Sequence, residues 1–258
     1  MKVGRKILWT VLILVVAWEI AYVSDMSGIK SGIAIGIALG IIGIYLVWKT
    51  GKRKQPLPQE YQLEILLGKF NKKQLQKLQD NYTLQANHYD LIGTAFRNME
   101  EYELSEKAYM QAIELSPGFE DPYANLLSLY IRQGKYEQCE AIYRKGMDNS
   151  SGSKSSIVFQ DGRLHFIKGN YELALHAARS ILNVERFQDE YAFVLAVKSM
   201  IALAKQGVDR EENYTEAKKL CQFGLSIFNS EQLRELEKSL PETETGQKKR
   251  DESSKLDE

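Results

Sequence analysis

This 258-residue sequence is poor in the residues from which most sites are built: two cysteines, three histidines and five prolines. Cys139 and Cys221 lie far apart and no CxxC occurs, which excludes a zinc ribbon or a thioredoxin-type redox motif. His88, His165 and His176 form neither an HExxH nor a clustered ligand set. There is no phosphate-binding loop, no GxGxxG and no GxSxG. The expectation is therefore a non-enzyme with no catalytic residue, no cofactor and no metal. An excess of one charge is also missing, since 34 Lys and Arg balance 34 Asp and Glu.

That balance hides a strong asymmetry. Residues 1–54 carry eight Lys/Arg against Glu19 and Asp25, and the remainder carries 26 against 32. A basic start thus precedes an acidic body. An acidic body argues against nucleic acid, whose phosphates need a basic face.

Two long apolar runs stand at the start. Residues 7–23 hold a single charge, Glu19, and residues 31–48 hold none. Each is close to the shortest helix that spans a hydrocarbon core of about 30 Å. They predict a two-helix transmembrane hairpin over 1–48. The opening "MKVGRK" before an apolar stretch also fits a signal peptide. Tyr22 and Val23, where a cleavage site wants small residues, favour an uncleaved anchor. Lys2, Arg5 and Lys6 flank one end and Lys49, Lys52, Arg53 and Lys54 the other. The positive-inside rule puts both ends, and so the body, on the cytoplasmic side of an inner or plasma membrane. Glu19 reads as an ion site or as an acid near the outer end that snorkels or pairs with Lys30.

The second run places Gly28, Gly32, Gly36 and Gly40 at every fourth residue, with Gly43 beyond. At 100° per residue these share one helix face. In lipid a seam of small residues lets backbones pack closely. Its partner would be segment 7–23, another copy of the chain or another membrane protein.

The body contains a repeat. Aromatic anchors Phe70, Tyr102, Tyr136, Tyr171 and Tyr214 recur at intervals of 32, 34, 35 and 43. Three residues after the later four stand Ser105, Cys139, Ala174 and Ala217, all small. Seven after come Tyr109, Tyr143, Ala178 and Cys221, and ten after come Ala112, Gly146, Ile181 and Gly224. Nine before stand Gly93, Leu127 and Gly162, and six before stand Phe96, Tyr130 and His165. These spacings stay on one helical face. Small residues let paired helices approach and aromatics fill the gaps between pairs. Both cysteines fall at packing positions, as buried thiols suited to a reducing compartment.

The pattern, with "YDLIGTAFRNMEEYELSEKAYMQAIELSP" and Pro117 closing its unit, resembles the tetratricopeptide repeat family. The units run 86–119, 120–153, 155–188 and 189–230, after a degenerate capping unit at 58–85. The last unit carries about eight extra residues around "KQGVDREE", as a longer turn or longer helices. The fold class expected is all-α, a membrane hairpin followed by a helical-repeat solenoid. The resemblance implies a right-handed superhelix whose first helices line a concave groove for a protein or peptide partner.

By the same resemblance the groove residues are Arg97, Asn98, Asn125, Ser128, Arg132, Gln160 and Arg163, with Asp90, Thr94 and Ile167 beside them. Some members grip a terminal carboxylate with lysines and asparagines. Here Asn125 matches, but Asp90 and Thr94 stand in the clamp's other places, so no such clamp is expected. Arg97, Arg132 and Arg163 would instead meet acidic side chains, or simply face solvent.

Around the repeats, 49–60 is a basic, Pro-containing linker. Residues 231–240 read as a capping helix and 241–258 as a disordered tail. Two functions follow. The first is a membrane-anchored adaptor that binds a protein partner in the groove. The second is an oligomeric, channel-like or proteolipid-like hairpin with the repeats as an assembly cap.

Overall fold

The computed structural model describes residues 54–241 together with Tyr22 and Ile42. The apolar runs 7–23 and 31–48, the glycines Gly28, Gly32, Gly36, Gly40 and Gly43, Glu19 and the tail beyond Pro241 lie outside the described residues. Among the described residues no helix is long and apolar enough to cross a membrane. The chain divides into two compact units, Met1–Gln55 and Pro56–Glu258. In the first, Tyr22 and Ile42 are helical and exposed.

In the second unit eleven α-helices lie among the described residues. They are α1 (Gln59–Leu66), α2 (Lys72–Asn81), α3 (Ala86–Asn98), α4 (Tyr102–Leu115), α5 (Asp121–Gln133) and α6 (Tyr136–Asn149). There follow α7 (Ser155–Ile167), α8 (Tyr171–Val184), α9 (Glu190–Lys205), α10 (Arg210–Ile227) and α11 (Glu231–Ser239). Two short strands, β1 (Gln55–Pro56) and β2 (Tyr82–Thr83), make a minimal ladder. The described fold is thus an all-α helical-repeat solenoid, as the sequence pattern predicts.

Local chemistry sets where the helices stop and start. Asn71 and Gln74 form a reciprocal capping box at the start of α2. Asp189 accepts a hydrogen bond from the Ala192 amide, and Ser230 from the Leu233 amide. Pro122 lies in the first turn of α5, where its missing N–H costs nothing. Gly134 ends α5 in the left-handed region at φ 70°, which favours glycine.

Consecutive helices pair: α3 with α4, α5 with α6, α7 with α8 and α9 with α10. Each first helix also packs on the pair before it, as α5 does on α4, and α9 on α8. The small residues of the repeat pattern lie at these contacts. Ser105, Cys139, Ala174 and Ala217 are all buried. The Ser105 hydroxyl donates to the Gly93 carbonyl at 2.8 Å, tying α4 to α3. A methyl group at Gly93 would meet the Tyr109 ring at 2.7 Å, so only glycine lets that ring lie against α3. Cys139 and Cys221 are free, buried thiols, and burial pushes the Cys221 thiol up to about 11.

At the ends, α1 packs on α3, and α11 packs on α10 and α9. The wide interval before Tyr214 is resolved as longer helices. Helix α9 has 16 residues and α10 has 18, and α10 begins at Arg210, four residues ahead of its anchor Tyr214. By contrast Tyr102, Tyr136 and Tyr171 each open their helix.

Candidate protein-binding surface

The surface expected to hold a partner is carried by α3, α5 and α7, whose neighbours in the series touch one another. Asp90, Thr94, Arg97 and Asn98 are on α3, Asn125, Ser128 and Arg132 on α5, and Gln160, Arg163 and Ile167 on α7. Three of them form a hydrogen-bonded chain between two helices. Arg97 Nη1 donates to Asn125 Oδ1 at 3.1 Å, and Asn125 Nδ2 donates to Asp90 Oδ1 at 2.9 Å. Asn125 therefore bridges a cation and a carboxylate with both ends of its amide. Thr94 shares a hydrogen bond of 3.1 Å with the Tyr109 hydroxyl, so it faces its own pair.

Asp90 is buried, and desolvation raises its carboxyl to about 6. The Asn125 hydrogen bond and the Arg97 charge oppose that rise without cancelling it. The folded state therefore binds the Asp90 proton more tightly than the unfolded chain. Stability from this group is lowest above about pH 6 and recovers as the pH falls towards about 4. Asp90→Asn keeps an acceptor for Asn125 and removes the titration. It should stabilise the protein at about pH 7.5, by up to about 2–3 kcal/mol, with the advantage shrinking towards about pH 4. Thermal melts of both proteins across that range would show it, and a pH-independent difference would contradict it.

The second cluster is on α7. Arg163 Nη1 donates to Gln160 Oε1 at 2.6 Å, and the guanidinium lies 5.9 Å from the Phe159 ring centroid. Partial burial lowers Arg163 from its ordinary value. Arg132 and Asn98 are exposed at the ends of α5 and α3, Ser128 is half-buried, and Ile167 is exposed.

A cavity of about 610 Å³ opens at the starts of α5, α7 and α9, lined by Glu120, Asp121, Phe159, Gln160, Asp189 and Tyr191 among others. Much of its acidity is already in use. Glu120 accepts hydrogen bonds from the Lys154 and Ser156 amides at 2.9 and 3.0 Å and from the Ser156 hydroxyl, and so holds the start of α7. Tyr191 and Phe159 stand 6.0 Å apart. Sequence reasoning named Gln160 but missed Glu120, Asp121 and Asp189, because an acid before a helix reads only as a cap. A signal was available in Phe159 and Tyr191, two aromatics outside the anchor series. A second hollow, of about 470 Å³, lies between α8 and α10 against Phe187 and Phe223. Among the described residues no group of three or more His, Cys, Asp or Glu could hold a metal ion.

Residues 87–119 and 121–150 match the family model of the tetratricopeptide repeat. These two segments carry tetratricopeptide repeats. They contain the pairs α3–α4 and α5–α6, and with them the Asp90–Asn125–Arg97 chain. Tetratricopeptide repeats point to a scaffold for protein–protein interaction. No curated protein matches the chain.

Proposed function

We propose that this protein is a membrane-anchored tetratricopeptide adaptor that binds a protein or peptide partner across α3, α5 and α7. The observation that carries the reading is the bridged set Asp90, Asn125 and Arg97, which spans two consecutive repeats at the positions a partner would meet. Arg132 and Gln160–Arg163 continue the polar row onto the following helices. Arginines on this row favour an acidic partner segment through charge-assisted, bidentate hydrogen bonds. In this reading the runs 7–23 and 31–48 hold the repeats at the cytoplasmic face, and the glycine face from Gly28 to Gly43 packs the membrane helices. The linker 49–60 tethers the units.

The test is capture from native membranes. Tagged full-length chain, crosslinked in place, should retrieve a partner. A triple variant with Arg97→Gln, Arg132→Glu and Arg163→Glu should lose it at least about tenfold, each charged hydrogen bond being worth about 1.5–3 kcal/mol. Glutamine is chosen at 97 because a second carboxylate there would face Asp90. Helicity should be unchanged by circular dichroism. Undiminished capture would refute the groove. Removal of residues 1–50 separates this reading from an oligomeric membrane hairpin. An adaptor domain still binds its partner in solution, whereas a hairpin ring loses all function.

A further inference from the structure

Helix α1 has two apolar faces where one would be enough. Ile65 is 3% exposed and joins a core with Leu57, Leu75 and Ile92. Leu63, Leu66 and Leu67, in contrast, are 59%, 62% and 61% exposed. At 100° per residue the three leucines fall within an arc of about 100°, centred nearly opposite Ile65. Gln59 and Glu60 share that side in the first turn, but its last turn shows only leucines, where the terminal units of repeat arrays are polar. Contiguous exposed leucines instead mark a contact surface.

What covers them is indicated by the chain before and after. Lys69, two residues beyond Leu67, and Lys73, in the first turn of α2, are both exposed. The sequence before α1 supplies Lys49, Lys52, Arg53 and Lys54. Leucines bordered by cations are the composition that lies at an anionic lipid surface. Reach agrees as well. Six residues, 49–54, separate the apolar run 31–48 from β1, which is paired with β2, and extended they span at most about 22 Å. A tether that short gives α1 a high effective concentration at any bilayer the run crosses.

We propose that α1 is a membrane-surface contact, with Leu63, Leu66 and Leu67 entering the boundary between headgroups and acyl chains, and Lys69 and Lys73 meeting anionic phosphates. This contact rests on the membrane-anchored reading above and adds to it a second, reversible attachment. It would hold the first helix pair at the bilayer while α3, α5 and α7 carry the partner surface.

The test uses the full chain in vesicles of phosphatidylcholine and phosphatidylglycerol. Leu67→Cys is labelled with an environment-sensitive fluorophore, and Lys107→Cys on α4 serves as the control. Cys139 and Cys221 are buried and leave the new thiol as the reactive one. Lipids brominated on their acyl chains should quench position 67 severalfold more than position 107. Adding Lys69→Glu and Lys73→Glu should cut that quenching at least twofold, and more so with phosphatidylglycerol present. A chain retained after alkaline washing but unquenched at position 67 overturns the α1 contact and leaves the anchor standing. Release by alkaline washing overturns the anchor and the contact together. A blue-shifted but unquenched label means that a second copy covers the leucines, which also overturns the lipid contact.

Discussion

Phe193→Ala should cost the second unit about 3–5 kcal/mol, the usual range for deleting a buried phenyl ring. Phe193 is fully buried on α9. Its ring meets Phe187, Phe223 and Phe228 at centroid distances of 6.2, 6.0 and 5.9 Å. Gly224 lies against it too, where an added methyl would come within 3.1 Å of the ring. One side chain therefore joins α9, α10 and the turn that leads to α11. Because a repeat array is stabilised between neighbours, the loss should be local. Hydrogen exchange should show lost protection over α9 to α11 and retained protection over α3 to α6. Phe187→Ala removes a ring that is 39% exposed and should cost much less. Equal effects of the two substitutions, or uniform loss along the chain, would contradict this account.

Gly162→Leu should be comparably damaging for the opposite reason. Gly162 is in α7 where α8 and α9 converge. An added methyl would stand 2.9 Å from the Ala177 Cβ and 3.0 Å from the Leu195 Cδ2. Leu195 can turn aside, but the Ala177 methyl is fixed to its backbone and cannot. A leucine there forces the helices apart, at about 1–3 kcal/mol or more. Gly162→Ala sets the same clash against about 1 kcal/mol of helix propensity gained, so it should lie much nearer the parent. Urea unfolding of the three proteins orders them. A leucine variant as stable as the parent would mean that α7 is not held by close approach.

Gly162 and Phe193 differ in how they could be known. Gly162, Gly93, Ala174 and Ser105 follow from period alone. Each helix pair buries its face only against its neighbours, so small residues recur at corresponding places in most units, and repetition shows it. Phe193 is not among the positions that the anchor spacing picks out. Its partners Phe187, Phe223 and Phe228 come from a turn, the next helix and that helix's end, and nothing in their spacing marks them as one cluster. The turn is unusual as well. Arg186 and Phe187 both have positive φ, at 50° and 62°, a conformation that side chains of this size seldom adopt. No residue pattern announces it: the Phe187 amide donates to the Leu182 carbonyl at 2.8 Å, and the Phe187 ring lies against Phe193 and Phe223.

The candidate surface divides in the same way. That Asp90, Arg97, Asn125, Arg132 and Arg163 belong to first helices follows from register within the repeat. That Asn125 links Arg97 to a buried Asp90 does not, because it depends on how closely α5 approaches α3. The acidic cavity shares this character, being made where three helix starts converge. By itself the sequence determined the helical repeat, its small-residue contacts and the basic-to-acidic division of the chain, because each is written in periodicity or charge. Only the tertiary structure decided that α9 and α10 lengthen, that Asp90 is desolvated and bridged, and that α1 turns three leucines outward. Those outcomes depend on which faces meet across distant residues, and a one-dimensional pattern carries no measure of that distance.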